Sequence, residues 1–209
     1  MGYKSYMITI NNQSQPIDDR ILLDKLGFSQ FQFIKETTLE QCMYPRDKSI
    51  NLGMFNNSLI ICDDFQLASQ LALYTKSEKL APYEQVLTDL FPSSEILTTN
   101  CHSTGNLHMY TLVSNGKRVR FKLVAPGELV EFGERITEEE KVYAFSEMVN
   151  GKRVFKSRYD EEDNYRYNED QMMEEFTFGV AARHLGLNIA QEDDEALMFT
   201  TKFRKYLKS

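Results

Sequence analysis

The hydrophobic pattern opens with a short β-branched run, Tyr6-Met-Ile-Thr-Ile10, closed by Asn11 and Asn12, and predicts a first core strand followed by a polar loop. Ile21, Leu22, Lys25 and Leu26 then recur at helical spacing behind Asp18 and Asp19 and stop at Gly27, which predicts one short helix. Phe31-Gln-Phe-Ile34, Ile50 to Phe55 and Leu59-Ile-Ile-Cys62 have strand composition. Asn56-Asn57 between the last two reads as a hairpin turn, because Asn tolerates the left-handed backbone that tight hairpins need. Asp63 with Gln66 has capping-box spacing ahead of Leu67, Ala68, Leu71 and Ala72 on one helical face. Pro82 opens a second helix, with Tyr83, Val86, Leu87, Leu90 and Phe91 as its buried stripe and Pro92 as its stop.

From residue 94 the pattern changes to strands: Glu95 to Thr99, Leu107 to Val113, Lys117 to Val124 and Glu128 to Phe132. Asn115-Gly116 between two of them is a strong hairpin signal, and Asn150-Gly151 repeats it. Thr137-Glu-Glu-Glu140 has the spacing of a capping box and predicts a helical turn or two. Tyr159 to Asp170 carries no apolar periodicity and predicts a solvated loop. Asn168 and Gln171 then cap a helix with the stripe Met172, Phe176, Val180, Ala181, His184 and Leu185, closed by Gly186. The tail Ala196 to Tyr206 reads as a closing strand or helix.

Together these elements predict an α+β chain, residues 1–209 as a single domain, built on a mainly antiparallel sheet with helices packed on one face. The order strand, helix, two strands, helix, strand over residues 5 to 100 is that of a ferredoxin-like βαββαβ unit, which the later meander extends.

Composition narrows the function classes. With 42% hydrophobic and 12% aromatic residues, 209 residues fill a substantial core, which excludes a disordered chain. The longest apolar candidate, Ser58-Leu-Ile-Ile-Cys62, stops at two aspartates, far short of the roughly 18 residues a membrane helix needs. The first residues lack a secretion signal, and Tyr6 stands where myristoylation would want Ser or Thr, so the expected location is the cytoplasm. Cys42, Cys62 and Cys101, an odd number without a CxxC pair, are expected as buried free thiols. A net charge of −7 opposes contact with phosphate backbones, so nucleic acid is not an expected partner.

Candidate chemistry is sparse. Asp63 and Asp64 end a strand where carboxylates hold Mg²⁺ or act as nucleophiles in α/β enzymes, but the N-cap reading is preferred because no further acids, lysines or glycines stand at the loop ends. Cys101-His102 and His108 offer one loose cluster where zinc wants two paired spacings, so neither metal nor cofactor is expected. His184 lies on an apolar stripe and reads as a packing histidine. Asp160-Glu-Glu-Asp163 has the acidity of a calcium loop without its glycine, and suits a basic protein partner better than catalysis. Alternation along Lys117 to Val124 sends Val119, Phe121 and Leu123 to one face and Arg118, Arg120 and Lys122 to the other. With Lys152, Arg153, Lys156 and Arg158 these could bind an anion, but a charged solvent face that blunts an edge strand is the preferred reading.

Met1-Gly2-Tyr3-Lys4, and the stretch His108 to Ile136 with Arg120 and Pro126-Gly-Glu-Leu-Val-Glu131-Phe-Gly-Glu134, resemble a bacterial family of uncharacterised proteins that open Met-Gly-x-Lys. The resemblance implies no activity; it marks Gly127 to Glu134 for inspection. Glu131 and Glu134 could act as a general-base pair, although exposed glutamates around a glycine usually have no catalytic role. The expected function is a non-catalytic binding domain that recognises another protein through its sheet or its acidic loop. The alternative is an enzyme or small-ligand binder with a dispersed site: His108, Arg120 and Glu131 as ligand contacts, with His102 near them.

Overall fold

The computed structural model describes residues 3–13, 17–44, 47–75, 77–156, 165–189 and 194–209. Eleven strands and five α-helices alternate along them: β1 (Lys4–Ile10), α1 (Asp19–Lys25), β2 (Phe31–Thr37), α2 (Leu39–Cys42), β3 (Ile50–Phe55), β4 (Ser58–Cys62), α3 (Pro82–Leu90), β5 (Ile96–His102), β6 (Leu107–Ser114), β7 (Lys117–Ala125), β8 (Glu128–Phe132), α4 (Thr137–Tyr143), β9 (Ser146–Val149), β10 (Lys152–Phe155), α5 (Met173–Leu185) and β11 (Phe203–Lys208). Nine strands form one antiparallel sheet in the order β2-β11-β3-β4-β1-β5-β6-β7-β8, and β9 and β10 form a separate hairpin. The fold class is α+β, as the hydrophobic pattern predicts. No helix among the described residues is long and apolar enough to cross a membrane.

The expected βαββαβ start is present as the run β3-β4-β1-β5, with β1 between the second hairpin strand and β5. What departs from it is β2, which leaves this unit and goes to the sheet edge, where the C-terminal β11 inserts between it and β3. The meander β5-β6-β7-β8 extends the sheet on the other side. Left-handed backbone at Asn56 and Asn57, at Asn115 and Gly116 and at Asn150 and Gly151 confirms the three hairpin turns.

Helices cover both faces of the sheet rather than the one expected. Ile8 and Ile10 of β1 face a core made with Leu22 and Leu23 of α1, Leu67 and Leu71 from the 3₁₀ helix Ala68–Leu73 and its approach, and Leu87 of α3. Met7, one position along, faces Leu39 of α2 and Phe178 and Ala181 of α5. Farther along that second face, Leu97, Tyr110 and Leu112 pack with Val142 of α4, Phe155 of β10 and Phe176 of α5. The reason is legible in β4: all five residues are buried, and an uninterrupted apolar run, unlike an alternating one, needs cover on both sides.

Local signals were realised unevenly. Asp18 caps α1 through its side chain, which accepts from the Arg20 and Ile21 amides. The capping box expected at Thr137 does not form: Ile136 holds the N-cap position without a side-chain bond, and Thr137 is already helical. Asn168 and Gln171 bracket a 3₁₀ turn, Glu169–Gln171, and α5 starts after it and ends at Gly186 with φ 75°. The tail is both helical and extended, a π-helical turn at Ala196–Thr200 leading into β11.

Candidate functional site

The three buried cations of β7 are the most unusual feature of the interior. Arg118, Arg120 and Lys122 are 1%, 1% and 0% exposed, so the solvated charged face expected for this strand does not exist. Simple alternation fails as well. Arg118 stands opposite Val113 and Arg120 opposite adjacent Leu112, leaving Val119 as the extra residue of a β-bulge. The bulge turns Arg118 to the face of α3 while Arg120 and Lys122 stay on the face of α4 and α5. Gly133 makes room for it: its φ is +78°, and a Cβ there would stand 2.0 Å from the Val119 carbonyl oxygen.

Each cation is matched, as burial of charge requires. Arg118 donates to Glu84 of α3 and to the Tyr74 carbonyl, and at 3.3 Å to the Ser77 carbonyl. Glu84 in turn accepts from the Ala81 amide at 2.7 Å and the Thr111 hydroxyl at 3.2 Å. Arg120 grips Glu139 of α4 with two 2.7 Å bonds, reaches Glu131 at 3.0 Å and donates to the Gly133 carbonyl at 3.0 Å. Burial works against its charge, but the Glu139 carboxylate more than offsets that and holds the guanidinium above its ordinary pKa.

Lys122 donates to the Tyr143 hydroxyl at 2.8 Å, pairs with Glu169 at 2.5 Å and lies 3.7 Å from the centre of the Phe176 ring. Burial lowers its pKa, and Glu169 opposes that. Burial, then the bond to Glu169, pushes the Tyr143 phenol up. His108 stacks on Phe176 at 5.2 Å and makes no hydrogen bond through either ring nitrogen among the described residues. Burial and then Lys122 hold it well below the ordinary histidine value, so it is neutral near pH 7.

The residues proposed from sequence do not converge. Arg120 and Glu131 meet in an ion pair. His108 shares their sheet face but is sealed against Phe176. His102 pairs across the sheet with Leu107, one position from the Cys101–His108 pair, and therefore points to the opposite face, where it meets the Thr104 hydroxyl at 3.2 Å. The Cys101, His102 and His108 cluster is divided in the same way, and the described residues contain no group of three or more metal-type side chains. All three cysteines are free and buried. Asp63 accepts from the Leu67 amide at 2.6 Å, but the expected capping box does not form: Leu67 holds the N-cap position of the 3₁₀ helix without a side-chain bond, and Gln66 donates to the Lys48 carbonyl. His184 packs as expected, bonded to the Thr9 hydroxyl at 2.9 Å. The acidic segment lies partly outside the described residues, as does Arg158; its end is not a solvated loop, because Glu169 supplies the carboxylate for Lys122. Sequence reasoning missed Glu84, Glu139 and Glu169 as partners, since nothing local pairs them with a strand 19 to 47 positions away.

The surface offers a different candidate. β2 ends the sheet, so its outer backbone edge has no neighbouring strand among the described residues. Phe33 and Ile34 there are 54% and 52% exposed. A register shift opposite Lys205 and Tyr206 makes Ile34 the extra residue of a bulge. Beside the edge lies an open hollow of about 420 Å³, walled by Leu23, Phe31, Phe33 and Tyr206 with Asp18 and Arg20 at its rim. Asp19 fixes its floor by accepting from both Arg204 and the Tyr206 hydroxyl, which ties α1 to β11. Comparison with protein-family models, curated proteins and solved structures finds no match.

Proposed function

We propose that this chain is a non-catalytic protein-interaction domain that takes an extended segment of a partner along the outer edge of β2. The observation that carries the reading is the conjunction of an open strand edge, two adjacent half-exposed apolar residues and an apolar hollow alongside. An added strand gains main-chain hydrogen bonds from such an edge, and side-chain pockets beside it supply selectivity. The bulge at Ile34 and the charge of Lys35 blunt the centre of the edge against indiscriminate pairing. They leave the Phe31–Phe33 half, which lines the hollow, as the part able to select a partner.

The interior supports the same reading. Arg118, Arg120 and Lys122, three of the cations that could have formed an anion-binding face, are consumed in ion pairs that fasten α3, α4 and the Glu169 turn to β7. The resemblance to uncharacterised bacterial proteins supplies no activity, so the reading rests on geometry. The test is affinity purification of the tagged chain from its own cells beside an Ile34→Lys variant. A partner recovered at near-stoichiometric yield with the wild type and lost with the variant, at unchanged thermal midpoint, is the expected result. A partner retained equally by the variant overturns the assignment of this edge.

A further inference from the structure

The corner between β4 and the 3₁₀ helix Ala68–Leu73 holds a buried acid on a strained backbone. Asp63 is 2% exposed, and its carboxylate accepts the Leu67 amide while its own amide donates to the Tyr6 carbonyl at 3.3 Å. Two residues on, Phe65 has φ +61°, a conformation that costs a bulky side chain, and its half-exposed ring rests 5.0 Å from that of Tyr6. Lys48 also sits at positive φ; its amide donates to Asp64 and its carbonyl accepts from Gln66. This corner delivers Leu67, Ala68 and Leu71 to the core.

No cation pairs with Asp63 among the described residues. The titratable groups that interact most strongly with it are Asp64 beside it, Tyr6 from β1, Cys62 from β4 and Tyr83 from α3, none of them a cation. An ionised carboxylate is therefore held in place by amide hydrogen bonds alone, on a turn already strained at Phe65. We infer that this corner is a proton-operated latch: an uncharged Asp63 keeps residues 64–73 docked on the sheet, and loss of the proton favours their local release. Burial pushes the Asp63 carboxyl up to about 6, against the pull of the Leu67 and Gln66 amides, so the latch changes state near neutral pH. Released, Asp63 returns to water and an ordinary carboxyl value. Docking at this corner is therefore strongest below about pH 4 and weakens as pH rises through 6.

Hydrogen exchange of the Ala68 to Leu71 amides at pH 5 and pH 7.5, corrected for the intrinsic rate, reads the latch. The local opening constant is expected to rise about tenfold between the two. Asp63→Asn, which keeps the acceptor for Leu67 and cannot ionise, should abolish the rise, and Asp64→Asn should leave it. A wild type without the rise, a rise that persists in Asp63→Asn, or one shared equally by the α5 amides overturns the proposal. Should Asp63→Asn fail to fold, a carboxyl-carbon titration of the wild type decides: a midpoint near 6 supports the latch, and one at or below the ordinary 3.8 refutes it.

Discussion

Replacing Arg118 with Met measures what the buried ion pairs of β7 contribute. Arg118 and Glu84 are both 0% exposed at the side chain, so the substitution strands a carboxylate in the core without a counter-charge and removes the donor to the Tyr74 carbonyl. Breaking a buried pair by removing one partner costs on the order of 3–5 kcal/mol. At roughly 2–4 °C for each kcal/mol in a chain of this size, the thermal midpoint should fall by on the order of 10 °C. Adding Glu84→Gln removes the stranded charge while keeping an amide oxygen for Ala81 and a group for the Thr111 hydroxyl, so the double variant should regain at least about 2 kcal/mol of the loss. Urea and thermal unfolding followed by circular dichroism suit a chain with no tryptophan. A single-variant loss below about 1 kcal/mol, or a double variant no more stable than the single one, refutes the claim that this pair is a structural tie.

Gly133→Ala should destabilise by more than about 2 kcal/mol, because the new methyl would collide with the Val119 carbonyl at a positive φ; unchanged urea unfolding would show that the bulge does not need the close approach. His108 is held below its ordinary 6.5, so the stability it contributes is complete above that value and is lost as pH falls below it. His108→Phe should flatten that part of the stability–pH curve, and an unchanged slope would contradict it. Glu95 is held down at about 2, first by His184 and then by the two bonds of 2.8 and 2.9 Å from Arg183, so its contribution is present above 4.5 and disappears as pH falls through 2. Glu95→Gln should therefore lose stability at pH 7 and match the wild type in strong acid, which acid-unfolding curves will show.

What the sequence made legible follows from the range of the interactions. Turns depend on one or two residues, so Asn56-Asn57, Asn115-Gly116 and Asn150-Gly151 were readable directly. The uninterrupted run in β4 held a signal for two-sided cover that alternation rules alone did not extract. The fate of Arg118, Arg120 and Lys122 was hidden for two reasons. A single-residue bulge at Val119 reverses the face of Arg118, and the carboxylates that neutralise the strand come from α3, α4 and the turn at Glu169. His108 and Arg120 read from sequence as ligand contacts; in the structure His108 is stacked on Phe176 and Arg120 is paired with Glu139, a burial and packing that one strand's residues do not state. The β2 edge was invisible because the insertion of β11, contributed from the far end of the chain, is what places β2 at the rim.

Site-specific photo-crosslinking compares the two edges of the sheet most directly. A crosslinking residue placed at Ile34 on β2 is set against one at Leu129 on β8, which is equally exposed at the opposite edge. In the native cells, a single discrete adduct from position 34 and none from position 129 is the result expected of a β2 docking edge. The same adduct from position 129, or no adduct from position 34, would contradict it.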